Sequence, residues 1–300
     1  MVRGSRQGDS HGGVYVVDLE SQAVHQALDW NTMGIDWEGR GGERGLRGIA
    51  VYGETVFMAA SDELLAFRPD FQPIGAWRNP WLKHCHEIAA WNDNLFLVSA
   101  GYDSILAFDI AKQRFHWAMH VDMEGFNFRG AVYDPNGDDG PLMLNKLHLN
   151  NVVPTQGGMY LSGLRTGGML HFNGEHIRMA VTLPGGSHNA RPFRDGVLFN
   201  DCQTDRVRYA GRGERNEDRG IAVPTYDPGE LTHVDVDDSR TSRQGFARGL
   251  CVLSDRVVAG GSSPSTITLY DLKENRRLMS VRISTDVRNA IHGLETWPFG

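Results

Sequence analysis

The chain has 300 residues, of which 40% are apolar and 22% are charged, as is ordinary for a globular protein. Its formal net charge of -7 argues against nucleic acid or an acidic membrane surface as a partner, although a small anion would respond only to the local field. No apolar stretch is long enough to cross a bilayer, and the first residues lack the apolar run of a signal peptide. Three cysteines without CxxC spacing make a disulfide framework improbable and indicate a cytoplasmic protein.

A repeated unit of short strands runs along the chain, and its 36 glycines suit the many turns that such a unit needs. Each copy begins with a short strand that opens on a polar or charged residue, here called the anchor. An apolar strand follows, and then a strand that carries an aromatic residue. Five anchors are Arg47, His86, Asn150, His188 and Arg248. A sixth copy is split, because its first strand starts at His292 and its other strands lie at 1–5, 14–18 and 23–27.

Successive anchors are 39, 64, 38, 60 and 44 residues apart. The shorter spacings match the ~40–50 residues of a propeller blade. The longer ones predict insertions near residues 118–146 and 210–245. Pairing both termini in one blade removes free sheet edges. We therefore predict one all-β domain over residues 1–300, a six-bladed β-propeller whose ring closes where the N-terminal strands pair with the C-terminal strand.

This blade pattern, from Arg47-Gly-Ile-Ala-Val to His292-Gly-Leu-Glu-Thr, resembles the six-bladed propeller superfamily of the NHL-repeat and gluconolactonase/paraoxonase type. The resemblance covers the whole chain and implies the fold. The lactonases of that superfamily hold calcium with carboxylates and asparagines, a site that this sequence does not reproduce. Function is therefore inferred from the chain's own residues.

The anchors are expected to form a ring, because the first strand of each blade lines the central channel of a propeller. Histidines on alternate blades, at His86, His188 and His292, predict one axial divalent transition metal, which is Fe, Zn or Mn. Arg47, Asn150 and Arg248 lie between them. Arginine binds carboxylate or phosphate in a bidentate manner, so the ring also predicts a small anionic ligand.

Further residues complete the predicted site. Glu87 and Glu295 follow candidate metal ligands, and are predicted to orient an imidazole or to act as general base toward a metal-bound water. The mouth of the channel is expected to supply substrate-binding side chains, namely His84, His148, Tyr102, Arg165 and Arg191.

Two functions fit this pattern. The first is a metal-dependent hydrolase, lyase or Fe(II) oxygenase that acts on a small anionic substrate at the three-histidine site. The second is a non-catalytic propeller that binds a ligand or a protein, with its histidines lining a polar, metal-free channel. The sequence names neither the substrate nor the oligomeric state.

Overall fold

The fold is described by a computed structural model for residues 1–38, 40, 44–125, 127–212, 218–236 and 243–299. Their strands form antiparallel sheets, one with two strands, four with four and one with five. Each larger sheet is a meander in which strands consecutive in sequence are neighbours in space. The predicted all-β propeller is confirmed at this level.

The strands are named here in chain order. The N-terminal hairpin comprises β1 (Gly13–Val17) and β2 (Val24–Asp29). Blade 1 comprises β3 (Ile49–Tyr52), β4 (Thr55–Ala60), β5 (Glu63–Phe67) and β6 (Pro73–Arg78). Blade 2 comprises β7 (Cys85–Trp91), β8 (Asn94–Ser99), β9 (Ser104–Asp109), β10 (Arg114–Glu124) and β11 (Asn127–Tyr133). Blade 3 comprises β12 (Leu149–Thr155), β13 (Gly158–Gly163), β14 (Gly168–Phe172) and β15 (Ile177–Thr182).

Blade 4 comprises β16 (Ser187–Phe193), β17 (Gly196–Asp201), β18 (Arg206–Gly211) and β19 (Asp218–Ala222). Blade 5 comprises β20 (Arg248–Val252), β21 (Val257–Ser262), β22 (Thr266–Asp271) and β23 (Arg276–Arg282). Short 3₁₀ turns occur at Trp30–Thr32, Ala100–Tyr102, Pro228–Glu230 and Val234–Val236.

The prediction of six complete blades is wrong for the residues that the structure describes. Strands β1 and β2 form as predicted, but residues 1–5 and 292–297 form no strand. The termini meet instead through an isolated antiparallel bridge between Val2 and Asn289. Residues 292–297, here called the C-terminal segment, face the N-terminal hairpin across a cavity. Their backbone therefore does not join the β1–β2 ladder.

The apolar core lies between neighbouring blades. Leu64, Leu97 and Phe108 belong to one cluster shared by blades 1 and 2, and each is fully buried. Similar clusters join blade 2 to blade 3 and blade 4 to blade 5. Apolar burial of this kind is the main stabilising term in folding, and it fixes how the inner strands face one another.

The two predicted insertions take different forms. The end of β10 and the whole of β11 lie within residues 118–146 and add a fifth strand to blade 2. Residues 210–245 include β19, the outer strand of blade 4, and two of the 3₁₀ turns. Residue 126 of the first insertion, and residues 213–217 and 237–242 of the second, lie outside the described residues.

A substitution at Gly293 tests the packing of the C-terminal segment. A Cβ atom on Gly293 would overlap the backbone oxygen of Arg47. Because backbone cannot move aside easily, we expect Gly293→Ala to lower the free energy of unfolding by about 1–3 kcal/mol in urea denaturation. Gly157→Ala is the matched control, since its Cβ would meet no heavy atom within 4 Å. Equal stability of the two variants would contradict this contact.

Candidate functional site

The anchors of blades 2 to 5 share a backbone irregularity. Each inner strand shifts register against its neighbour at or beside the anchor, between Cys85 and Ile88 in blade 2 and between His188 and Arg191 in blade 4. The same shift occurs between Leu149 and Asn151 and between Arg248 and Leu250. A β-bulge of this type redirects side chains and often lies next to a functional site.

A cavity of about 200 Å³, here called the channel cavity, is lined by four of the six anchors, but not by Asn150 or His188. Arg47, His86, Arg248 and His292 are buried in its wall. His148 is half-buried and His84 is exposed, so these two lie nearer the opening. The complete lining consists of Met1, Arg3, Arg47, His84, His86, Asn145, His148, Arg248 and His292.

His84 and His148 have the same backbone conformation, with φ of 51° and 50°. Gly186 has the same offset, two residues before its anchor, and has φ of 82°. Positive φ is uncommon for residues other than glycine, and its recurrence marks a shared turn into the inner strands. The ring of His148 lies 5.0 Å from that of His86, and its Nδ1 donates to Asn145 Oδ1 at 2.9 Å. This turn conformation thus places His84 and His148 at the opening of the channel cavity.

His188 is engaged at both ring nitrogens. Arg248 Nη1 donates to His188 Nε2 at 2.7 Å, and because a guanidinium never accepts, Nε2 must be unprotonated. His188 Nδ1 then carries the hydrogen and donates to Gly186 O at 3.2 Å, with Cys202 Sγ 3.3 Å away. His188 is therefore a neutral imidazole that positions Arg248. The Arg248 guanidinium also lies over the Phe246 ring, 5.0 Å from its centre.

The electrostatics of the cavity follow from burial and arginine. Burial, followed by the charge of Arg47, holds the pKa of His86 well below its usual range. Burial, followed by the charge of Arg248, has the same effect on the pKa values of His188 and His292 and lowers the pKa of His148 to about 3. His86, His148, His188 and His292 are thus neutral at physiological pH. None of the described lining residues carries a carboxylate, and three of them, Arg3, Arg47 and Arg248, carry a guanidinium.

The predicted three-histidine metal centre is not seen among the described residues and stays a prediction. The His86 ring centre lies 6.4 Å from that of His188 and 6.2 Å from that of His292. His188 Nε2 is already bonded to Arg248. A divalent cation would lie beside guanidinium groups with no carboxylate to offset the repulsion. Across the described ranges, no group of three or more His, Cys, Asp or Glu side chains is arranged to hold a metal ion.

His292 contributes a buried polar atom to this region. The residue is 7% exposed, and its Nδ1 is buried without a hydrogen-bond partner among the described residues. A buried polar atom in this state is costly unless water or a ligand reaches it.

The two predicted catalytic glutamates, Glu87 and Glu295, interact electrostatically with each other. Glu87 Oε1 accepts from Asn189 Nδ2 at 2.9 Å, and burial raises the pKa of Glu87 to about 8 against the opposing charge of Arg191. Glu295 is exposed and adds a further upward shift to that pKa. Neither glutamate lines the channel cavity. Glu87 is therefore oriented by an asparagine and does not orient an imidazole.

The remaining predicted residues lie in the framework or on loops. Asn150 Nδ2 donates to Ser187 O at 3.0 Å, which ties blade 3 to blade 4. The Tyr102 ring packs against Trp81, with 5.4 Å between ring centres. Arg165 is exposed and its Nε donates to Lys146 O at 2.5 Å. None of the three lines the channel cavity.

Sequence reasoning missed Arg3, Asn145 and Phe246. Arg3 was placed in a strand of the split copy, yet its guanidinium lies 4.8 Å from the Phe246 ring centre, on the same ring as Arg248. Asn145 lies three residues before His148, and this short spacing was the available signal. Phe246 lies two residues before the anchor Arg248, and nothing in the sequence around it predicted a role in the site.

Comparison with known proteins adds support for the fold alone. No family model and no curated protein matches the sequence. A chain of the nidogen/laminin complex is similar in structure, with a TM-score of 0.60 and 10% identity over 95% of both chains. The fold is that of a β-propeller.

Two further solved structures agree with that result. The computationally designed protein Ika8 has a TM-score of 0.50 and 10% identity, covering 96% of this chain and 86% of that one. U3-55K has a TM-score of 0.51 and 9% identity, covering 81% of this chain and 66% of that one. Within the described part of the chain, no helix combines the length and the apolar character needed to span a membrane.

Proposed function

We propose that this propeller is a non-catalytic module that binds a small anionic molecule in its channel cavity. The observation that carries the proposal is the composition of the described lining, which combines three arginines with the neutral histidines His86, His148 and His292 and contains no carboxylate. The chain as a whole has a formal charge of -7, so the positive charge is a local feature of this site.

Arginine suits this role because its planar guanidinium donates two parallel hydrogen bonds to a carboxylate or phosphate. His188 holds Arg248 through Nη1, which fixes the direction of the guanidinium. His292 lines the same wall, and its buried Nδ1 has no hydrogen-bond partner among the described residues. A fixed set of donors reduces the ordering cost of binding.

We further propose that the N-terminal hairpin and the C-terminal segment complete the ring in place of a regular sixth blade. A Cβ atom on Gly249 would lie 2.8 Å from His292 O, and one on Gly293 would overlap Arg47 O. Gly249 belongs to blade 5 and Arg47 directly precedes blade 1, so the C-terminal segment is in contact with both blades. The lining of the channel cavity also includes His292 together with Arg47 and Arg248.

Calorimetric titration with succinate, orthophosphate and citrate tests the proposal. We expect at least one of these anions to bind with one site per chain, and the affinity to fall as salt increases. Succinamide, which has the shape of succinate without its charge, is the matched control and should not bind. Absence of binding by all three anions at millimolar concentration would overturn the proposal.

The metal-dependent enzyme remains a separate prediction, and it requires Arg248 to leave His188 Nε2. Under the anion proposal, we expect elemental analysis of the purified protein to find well below one equivalent of Fe, Zn or Mn. We also expect His188→Ala to leave that content unchanged. One equivalent of metal in the native protein, lost in His188→Ala, would contradict the anion proposal and support the enzyme.

A further inference from the structure

A second cavity of about 380 Å³, here called the hairpin cavity, lies between the N-terminal hairpin and the C-terminal segment. The N-terminal hairpin, the C-terminal segment and blades 1 and 5 all contribute to its wall. Its volume falls within the ~300–1,000 Å³ range that is usual for small-molecule sites.

The wall of the hairpin cavity is largely apolar. Val14 and Val16 of β1 face Met58 and Phe71 of blade 1 and Ile267 of blade 5 across it. Phe71 also stacks on Trp297 of the C-terminal segment, with 5.2 Å between ring centres and 10° between planes. An alkyl chain placed here would leave water for an apolar surround, which is favourable.

The two cavities share part of their walls. Met1, Arg47 and His292 line both of them. Arg47 Nε lies 3.3 Å from Met1 Sδ, so a flexible thioether side chain lies at the boundary. A ligand that extends from the channel cavity into the hairpin cavity would therefore contact arginines and histidines at one end and apolar side chains at the other.

We infer that the ligand of the proposed function is an amphipathic carboxylate with an unbranched alkyl chain. The carboxylate binds in the channel cavity beside Arg47 and Arg248, and the alkyl chain lies in the hairpin cavity. Glu295 lines the hairpin cavity and is exposed, so the reverse orientation would bring two carboxylates together. This inference rests on the proposed anion site and adds the chemical class of its ligand.

A chain-length series on the native protein is the primary test. Propionate, hexanoate, octanoate and decanoate are titrated below their micellar concentrations, with succinate measured in parallel. We expect the affinity to rise by about fourfold for each added methylene group, as burial of an alkyl chain predicts. If succinate binds but decanoate binds no more tightly than propionate, the inference is overturned and the anion proposal stands. If no carboxylate binds, the inference fails, and if orthophosphate does not bind either, the anion proposal fails with it.

Two substitutions on the same hairpin locate the alkyl chain. Val14 lines the hairpin cavity, whereas Val24 on β2 is exposed and does not line it. We expect Val14→Trp to weaken decanoate binding at least tenfold while succinate binding is kept, and Val24→Trp to change neither. Retained succinate binding also reports that Val14→Trp is folded. Equal decanoate binding by the native protein and both variants would overturn the placement of the chain.

Discussion

Replacing Arg248 by methionine should weaken succinate binding by about a hundredfold, since loss of one buried charged partner typically costs 2–5 kcal/mol. The change removes a guanidinium from the wall of the channel cavity and leaves His188 Nε2 without its 2.7 Å hydrogen bond. Methionine is long and flexible enough to keep an apolar contact with Phe246. Calorimetric titration of native and variant proteins in the same buffer measures the effect.

Arg129→Met is the matched control for this substitution. Arg129 lies on β11, the outermost strand of blade 2, where it forms an exposed ion pair with Glu124 at 2.8 Å. The control removes the same charge and creates the same residue, so we expect succinate binding to stay within about twofold of the native value. A similar loss in both variants would show that net charge governs binding and would contradict the site.

The free energy of unfolding should fall steeply as the pH drops below about 6.5. His86, His148, His188 and His292 have depressed pKa values in the folded protein, mainly because they are buried. Below pH 6.5 the unfolded chain binds protons at these positions while the folded chain does not. Their stability contribution is therefore present above pH 6.5 and is lost in acid, by up to about 1.4 kcal/mol per pH unit for each histidine.

Glu87 opposes this trend because burial raises its pKa to about 8. From pH 8 down to about 4.5 the folded chain holds a proton on Glu87 that the unfolded chain releases. Its contribution is thus present in acid and is lost as the pH rises through 8, so it offsets about one histidine between pH 6.5 and 4.5.

Urea denaturation at pH 7.5, 6.5 and 5.5, in buffers without anions that compete for the site, measures the slope. We expect His148→Gln to reduce the loss of stability between pH 6.5 and 5.5 by about 1 kcal/mol, because it removes one of the four histidines and an unfolded histidine is only about half protonated at pH 6.5. A free energy of unfolding that stays constant from pH 7.5 to 5.5 in the native protein would contradict the buried, neutral histidines.

The repeat in the sequence predicted which chain segments meet at the channel. Arg47, His86, Arg248 and His292 were aligned by one column of the repeat and line one cavity, whereas Asn150 and His188 of the same column do not line it. This was possible because hydrophobic alternation and blade length fix the inner strand of each copy. The sixth blade was less predictable, because residues 292–297 have a strand-like pattern but no partner in the hairpin ladder.

The chemistry of the site could not be predicted from the same column. Alternation assumes a regular strand, whereas the bulge in each of blades 2 to 5 alters where the anchor points. The 2.7 Å contact between Arg248 and His188 joins residues 60 positions apart, and it turns a predicted ligand into a support for an arginine. Glu87 likewise meets Asn189, a residue that strand spacing alone does not bring to it.

Anomalous diffraction from crystals soaked in selenate tests the central claim most directly, because it reports both the position and the identity of a bound ion. Data collected at the selenium edge and at the Fe, Zn and Mn edges distinguish an anion from a metal. The proposal predicts a selenium peak in the channel cavity, within hydrogen-bond distance of the Arg47 or Arg248 guanidinium, and no metal peak. A metal peak among His86, His188 and His292, or a cavity without selenium, would contradict it.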